Sequence, residues 1–248
     1  MHSATAMIEC IQPDWPAPAA VRACSTTRDG GVSAGPWRSL NLATHVGDDP
    51  RAVSENRARL SARLGLPDAP QWLDQVHGTR VHLPASDSLC ADACVEDRPG
   101  RVCVVLTADC LPVLLCNTAG TRVAVAHAGW RGLLAGILER TVAAFDDEPG
   151  QLLAWLGPAI GPQAFEVGDE VRAAFLVEDP ASGGLFAANG SGRWMADLCG
   201  LARLRLGRCG VGTVTGGGWC TLSEPARFFS YRRDGMTGRM ASLIWLQP

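Results

Sequence analysis

A chain of 248 residues can bury a substantial core, and 47% hydrophobic with 19% charged residues is the balance of a globular protein, not a disordered one. A net charge of −3 leaves no basic surplus to displace counterions from a phosphate backbone, so nucleic acid is not expected as a main partner. No apolar run reaches the roughly 18 residues of a membrane-spanning helix, and residues 1–16 lack the basic-then-apolar pattern of a secretory signal; no membrane association is expected, and the expected compartment is the cytoplasm.

The first segment with a clear signal is 28–36, whose glycines and serines predict a loop. A helix follows: Asp49 can cap it, Pro50 suits its first turn, Gly65 can end it, and Val53, Leu60 and Leu64 share a face. Apolar, β-branched runs predict strands over 102–107 and 111–116, on either side of Ala108-Asp109-Cys110. A strand over 121–126 should deliver His127 to its end, and Gly129-Trp130-Arg131-Gly132 should lead into an amphipathic helix over about 133–145. Beyond it the pattern predicts a strand over 152–156, helices over 168–175 and 197–206, and a strand over 211–215. Two final strands, 228–231 and 240–246, are expected to be joined by the turn-rich 232–239. Strands and helices mix without regular βαβ alternation and without a dividing linker. The expectation is one α/β (or α+β) layered domain spanning 1–248.

Ten cysteines do not make a disulfide framework in a long chain with no export signal. Cys103, Cys116, Cys199 and Cys209 sit among apolar residues and read as core side chains, while Cys90 and Cys94 lack a second pair to complete a structural zinc site. Of the five histidines, His2 is terminal and His82 lies in an ordinary strand-like context. The other three stand in unusual surroundings. Gln75-Val76-His77-Gly78 puts an imidazole where a strand gives way to a turn. Thr107-Ala108-Asp109-Cys110-Leu111-Pro112 puts a thiol between two buried strands. Ala126-His127-Ala128-Gly129 puts an imidazole before a helix start.

One thiolate and two imidazoles suit a borderline-soft ion such as zinc, and three protein ligands leave a fourth position open. Spacing alone leaves other readings standing. Cys110 could be a core thiol with structural histidines, or Cys110 and His127 could form a metal-free thiolate–imidazolium pair oriented by Asp109 or Gln75. Arg131 with the N–H groups of the following helix offers an anion cradle, and close packing explains such glycines equally well. Asn41, His45 and the Gly47-Asp48-Asp49 turn serve either capping or ligand contact. Arg232 and Arg233 read as solvated turn residues or as an anion site.

Taken in order, Ser39-Leu40-Asn41-Leu42, His45-Val46-Gly47-Asp48, Gln75-Val76-His77-Gly78, Thr107 to Pro112 and His127 to Gly132 resemble the YfiH-type family, also called the polyphenol oxidase or laccase-domain family. Leu156-Gly157-Pro158-Ala159-Ile160-Gly161-Pro162 and Arg227-Phe228-Phe229-Ser230-Tyr231-Arg232-Arg233-Asp234-Gly235 extend the resemblance from about residue 39 to the C-terminus. It implies a layered α/β sandwich with mixed sheets, similar to the catalytic domain of the cytotoxic necrotizing factor toxins. It also implies a purine nucleoside phosphorylase acting on adenosine, inosine, guanosine and methylthioadenosine with phosphate, with adenosine deaminase activity. The implied zinc ligands are His77, Cys110 and His127. Some relatives are linked instead to editing of peptidoglycan precursors, which would suit a cysteine hydrolase using Cys110 and His127. The laccase label implies copper, but the chain lacks the many histidines of a multicopper centre.

On this resemblance Cys110, His127 and Asp109 are the expected catalytic groups, with Asp109 either a proton shuttle or a partner orienting a histidine. Asn41, His45, Gln75 and Arg131 are the expected substrate contacts. Two departures fall near the expected pocket wall: Gln163-Ala164-Phe165-Glu166 stands where the family often has cysteines and a tyrosine, and Cys220-Thr221-Leu222 where it often has Cys-Thr-Tyr.

Overall fold

The apolar runs become strands buried on both faces. Every residue of Val102–Thr107, Leu111–Asn117, Val123–Ala128, Leu152–Leu156 and Met240–Leu246 is buried. The structure, a computed structural model, describes residues 7–190 and 192–248; His2 lies outside the described residues. Five strands form one sheet in the order Cys10–Ile11, Val21–Thr26, Met240–Leu246, Val102–Thr107, Gln71–Trp72, antiparallel except for the last pair. Six form a second: Thr213–Gly216, Leu152–Leu156, Leu111–Asn117, Val123–Ala128, Ala93–Glu96, Val81–His82, with parallel pairs only at its two edges.

The side-chain period of two sorts each strand between two cores. Cys103 and Val105 of the first sheet meet Leu114, Cys116, Val123 and Val125 of the second in the layer between the sheets. Val104 and Leu106 face outward onto the helix Pro50–Leu64 through Leu60. On the far side of the second sheet, Val113, Leu115, Ala124 and Ala126 pack against Leu133, Ile137, Leu138, Leu201 and Leu206 of the remaining helices. The result is a four-layer sandwich with helices outside two mixed sheets. A separate three-stranded antiparallel sheet (Glu166–Gly168, Arg193–Ala196, Phe186–Ala188) flanks the helix Asp169–Glu178. Among the described residues no helix is long and apolar enough to cross a membrane.

The first helix is capped as expected: Asp49 accepts from the Arg51 N–H, and Gly65 ends it in the left-handed region. Elsewhere the boundaries move. The helix expected over 133–145 is two helices, Trp130–Ala135 and Ile137–Ala143, because Gly136 takes φ +98° and breaks the turn. Residues 228–231 do not form a strand. Phe228 and Phe229 are buried in an irregular segment, and Ser230 caps a short helix, Tyr231–Asp234, by accepting from the Arg233 N–H. The strand expected over 121–126 is Val123–Ala128, so His127 lies within it and pairs with Pro112.

Candidate metal centre and its two cavities

Antiparallel pairing of Leu111–Asn117 with Val123–Ala128 sets Leu111 opposite Ala128, which brings Cys110 and His127 to the same end of the second sheet. His77 reaches them from the loop that follows Gln71–Trp72. It holds φ +58°, a left-handed backbone that a histidine rarely adopts. The Cys110 Sγ lies 3.9 Å from the His77 Nε2, the two imidazoles meet edge to face at 4.7 Å, and one donor atom from each residue lies within 4.8 Å of the others. Two metal legs of roughly 2.1–2.3 Å at a near-tetrahedral angle span a gap close to that 3.9 Å, so the donor set fits one ion. His77 is exposed, Cys110 half-buried and His127 buried, so the set opens on one side only.

The group that organises the centre is Asp92, which sequence reasoning missed. Its fully buried carboxylate accepts from the backbone N–H groups of Val76 (3.2 Å), His77 (2.9 Å) and Gly78 (2.7 Å), and is paired with the His127 Nδ1 at 2.9 Å. The Asp92 carbonyl also accepts from the His127 N–H at 2.7 Å. Nδ1 is thereby occupied, and Nε2 is the atom that His127 presents to a metal. The orienting carboxylate is therefore Asp92 and not Asp109. Asp109, at φ +88°, accepts from the Thr221 hydroxyl (2.6 Å) and the Arg232 N–H (2.7 Å), which ties the helix Tyr231–Asp234 to the floor of the site. A visible signal did exist: Asp92 stands between Ala91 and Ala93 at the start of a buried strand, where an acid needs partners.

These contacts set the charges in the metal-free centre. Burial alone would raise the Asp92 carboxyl, but the hydrogen bonds from His127 and from the Gly78 and Val76 N–H groups hold it below the usual range. Burial opposes ionisation of Cys110 too, yet the charge and hydrogen bond of His127, with a hydrogen bond from His77, pull the thiol down to about 6. Burial disfavours the His127 cation, but Cys110 and Asp92 push it up to about 9.

Gly129 lets the ligands meet: a Cβ there would stand 2.9 Å from the Cys110 Sγ and 3.1 Å from the His77 Cδ2. At Gly132 a Cβ would stand 3.0 Å from the Gly78 carbonyl, so close packing accounts for both glycines.

Two cavities meet over the ligands. The larger, about 480 Å³, includes His45, Gln75, Thr107, Tyr231 and Arg239 in its wall. The smaller, about 270 Å³, is walled by Trp130, Arg131, Ile160, Phe165, Leu198 and Arg232, among others. His77, Cys110 and Tyr231 line both. Of the expected substrate contacts, His45 and Gln75 line the larger cavity and Arg131 the smaller, but Asn41 lines neither. Asn41 is fully buried, its Oδ1 accepting from the Ala43 and Arg239 N–H groups and its Nδ2 donating to Asp48 and the Ala43 carbonyl. Gln75 spans the Leu106 peptide, donating to its carbonyl and accepting from its N–H; it does not orient His127. Arg131 is exposed and stacks on Trp130 at 4.4 Å. The departure at Phe165 does fall on the pocket wall. Arg239 carried no expectation; burial lowers its pKa, against the opposing charges of Cys110 and Asp109.

An α/β sandwich that gathers two histidines and a cysteine at the floor of a double cavity defines a protein with a metal-ligand site open to small molecules. Comparison with known proteins narrows this: residues 22–247 match the family model described as multi-copper polyphenol oxidoreductase laccase. A purine nucleoside phosphorylase of Pseudomonas aeruginosa is 59% identical over 96% of this chain and 98% of its own length. The Escherichia coli purine nucleoside phosphorylase YfiH is 56% identical over 97% of this chain and its whole length. The crystal structure of Neisseria meningitidis protein NMB0706 superposes with a TM-score of 0.92 at 52% identity, covering 96% of this chain and 99% of that one. The chain belongs to this laccase-domain, YfiH-type family.

Proposed function

We propose that the protein is a zinc-dependent purine nucleoside phosphorylase of the cytoplasm. It cleaves adenosine, inosine, guanosine or methylthioadenosine with phosphate to the free base and the (methylthio)ribose 1-phosphate, and it also deaminates adenosine. The observation that carries this reading is the pair of cavities joined at one centre. A two-substrate reaction on a nucleoside needs an apolar slot for a flat base beside a polar chamber for the second reactant. The names of the Pseudomonas and Escherichia relatives support the same reaction.

His77, Cys110 and His127 hold the metal, and zinc suits that donor set. The family description names copper, but five histidines in the chain, two of them in the ligand set, are too few for a multicopper centre. Bound zinc supplies Lewis-acid polarisation at the cavity floor. The chain's own residues do the positioning. The purine lies against Trp130 and Phe165 in the smaller cavity, which brings its ribose to the junction lined by Tyr231. A phosphate oxygen bonds to C1′ as the C1′–N9 bond breaks, and the departing base takes up, directly or through water, the proton that monohydrogen phosphate gives up. Alignment of the two reactants and preorganised charge supply most of the acceleration. Deamination turns C6 toward the floor instead, where water adds and ammonia leaves. Asp109 acts as a positioning residue, holding the helix that carries Tyr231 and Arg232.

Metal-loaded protein incubated with adenosine is expected to yield adenine and ribose 1-phosphate only when phosphate is present, and inosine with or without it. Absence of base release from all four nucleosides in phosphate would refute the phosphorylase. One observation favours a second reading: Asp92, His127 and Cys110 form a carboxylate–imidazole–thiol series, the arrangement of a cysteine hydrolase or amidase acting on peptidoglycan precursors. Amide cleavage by metal-free protein that stops on alkylation of Cys110 would support it.

A further inference from the structure

We infer that the anionic co-substrate binds in the larger cavity on Arg239, with His45 beside it, and not on Arg131. The identity of the anion as inorganic phosphate rests on the phosphorylase reading; the site itself rests on Arg239. The Nη1 of Arg239 donates to the carbonyls of Thr237 (2.9 Å) and Gly238 (3.0 Å). Its Nε and Nη2 have no acceptor among the described residues, and the side chain lines the cavity. None of the ion pairs among the described residues involves Arg239. Arg239 is half-buried, with two donors unpaired and no carboxylate partner among the described residues, so it is placed to receive a ligand's negative charge in the planar, bidentate geometry a guanidinium favours.

The surroundings agree. Among the described residues no aspartate or glutamate lines the larger cavity, and its readily ionised acidic group is the Cys110 thiol, which the candidate metal would engage. His45 shares its wall; burial first and the Arg239 charge second disfavour its imidazolium, and an anion bound beside both would offset the second of these. The nearby acid, Asp109, is engaged by Thr221 and the Arg232 N–H. Arg239 is also held from behind. Asn41 accepts from its N–H at 3.0 Å, and the Leu42 N–H donates to its carbonyl at 3.3 Å. The fork is thus preorganised, as bidentate phosphate recognition requires. Arg131 differs in exposure and in setting, although both arginines lie over an aromatic ring, Arg239 over Tyr231 at 5.8 Å. It is exposed, it stacks on Trp130, it shares its cavity with Asp109, and the helix behind it, Trp130–Ala135, has only six residues.

Steady-state phosphorolysis with inorganic phosphate as the varied substrate tests the assignment. Arg239→Gln is expected to raise the phosphate KM by about tenfold or more, the loss of a charge-assisted contact, with the nucleoside KM little changed. His45→Gln should raise it less, and Arg131→Gln should leave it unchanged. An unchanged phosphate KM in Arg239→Gln, or a tenfold rise in Arg131→Gln instead, overturns the assignment. Footprinting of the unsubstituted, metal-loaded protein with phenylglyoxal, mapped by mass spectrometry, avoids any folding defect. Inorganic phosphate should protect Arg239 and not Arg131. Protection of Arg239 in a protein that shows no phosphorolysis would keep the anion site and discard the reaction assigned to it; phosphorolysis without protection would discard the site alone.

Discussion

The two histidines of the candidate metal centre differ in almost every respect except the carboxylate that holds them. His127 is buried within a strand, its register set by pairing with Pro112 and its ring fixed through Nδ1. His77 is exposed, sits in a loop at φ +58°, and is bonded to Asp92 through its backbone N–H and those of its neighbours, its ring meeting Cys110 and His127. Asp92 grips one ligand by the ring and the other by the main chain. Part of the centre is therefore built into the fold, whereas the rest is a loop whose strain is justified only by what it binds.

The comparison breaks most severely at Asp92. Asp92→Ala leaves several donors without an acceptor and is expected to lower stability by about 3 kcal/mol or more in the metal-free protein. It should also release the metal from both histidines; denaturant unfolding and metal stoichiometry read the two effects, and a loss under 1 kcal/mol, on the order expected for a surface change, would contradict the anchoring role.

His127→Ala should follow, at about 2–3 kcal/mol, because it opens a buried space and strips the Asp92 carboxylate of one partner. It has a signature in pH as well. The thiolate is the nucleophile, so alkylation of Cys110 in metal-free protein is expected to rise as pH increases through about 6. With the imidazolium removed, the thiolate loses its main support, so the inflection moves to higher pH and the rate at neutral pH falls. An unmoved inflection in rate-against-pH measurements would show that His127 does not ionise Cys110.

Gly129→Ala acts on both ligands at once while sparing the core. The added methyl meets Cys110 and His77, so metal affinity should drop by roughly tenfold, the lower end seen when the surroundings of a ligand are disturbed. Competition against a chromophoric chelator would measure it.

The smallest effect has the opposite sign. His77→Gly relieves a left-handed non-glycine residue and is expected to stabilise the metal-free chain by up to about 1 kcal/mol, while metal binding is lost. A destabilised His77→Gly protein would show that the loop carries its own packing and would weaken the contrast with His127.

Legibility in the sequence followed the same division. The strands bearing Cys110 and His127 announced themselves as apolar runs, and the caps of Pro50–Leu64 were plain in Asp49 and Gly65. Sequence alone kept three readings of Cys110 open; the ordered motifs around it supplied the resemblance, and the structure brought the three side chains together. Asp92 stayed hidden because its role arises from strand pairing: Ala93 lies opposite Ala126, and nothing local in residues 90–94 points to His127 or to 76–78. Arg239 was hidden for a related reason, since its distinguishing property is the lack of an acidic partner in three dimensions. The strand misread at 228–231 has two buried phenylalanines, which suit a strand but here fill the space between the sheets without pairing.

The grip of Asp92 on Val76, His77 and Gly78 also closes the base of the segment that runs from Gly78 to Asp92. Both ends of that segment are pinned by the centre, and the Leu89 carbonyl is tied back to the Asp74 N–H at 2.9 Å, so only the tip before Leu89 is left free of the site. Residues near its exposed tip at 83–88 could be lengthened or exchanged at a closure penalty that grows only logarithmically with length. A reporter peptide or fluorophore grafted there would leave the Asp92 contacts that build the candidate centre in place.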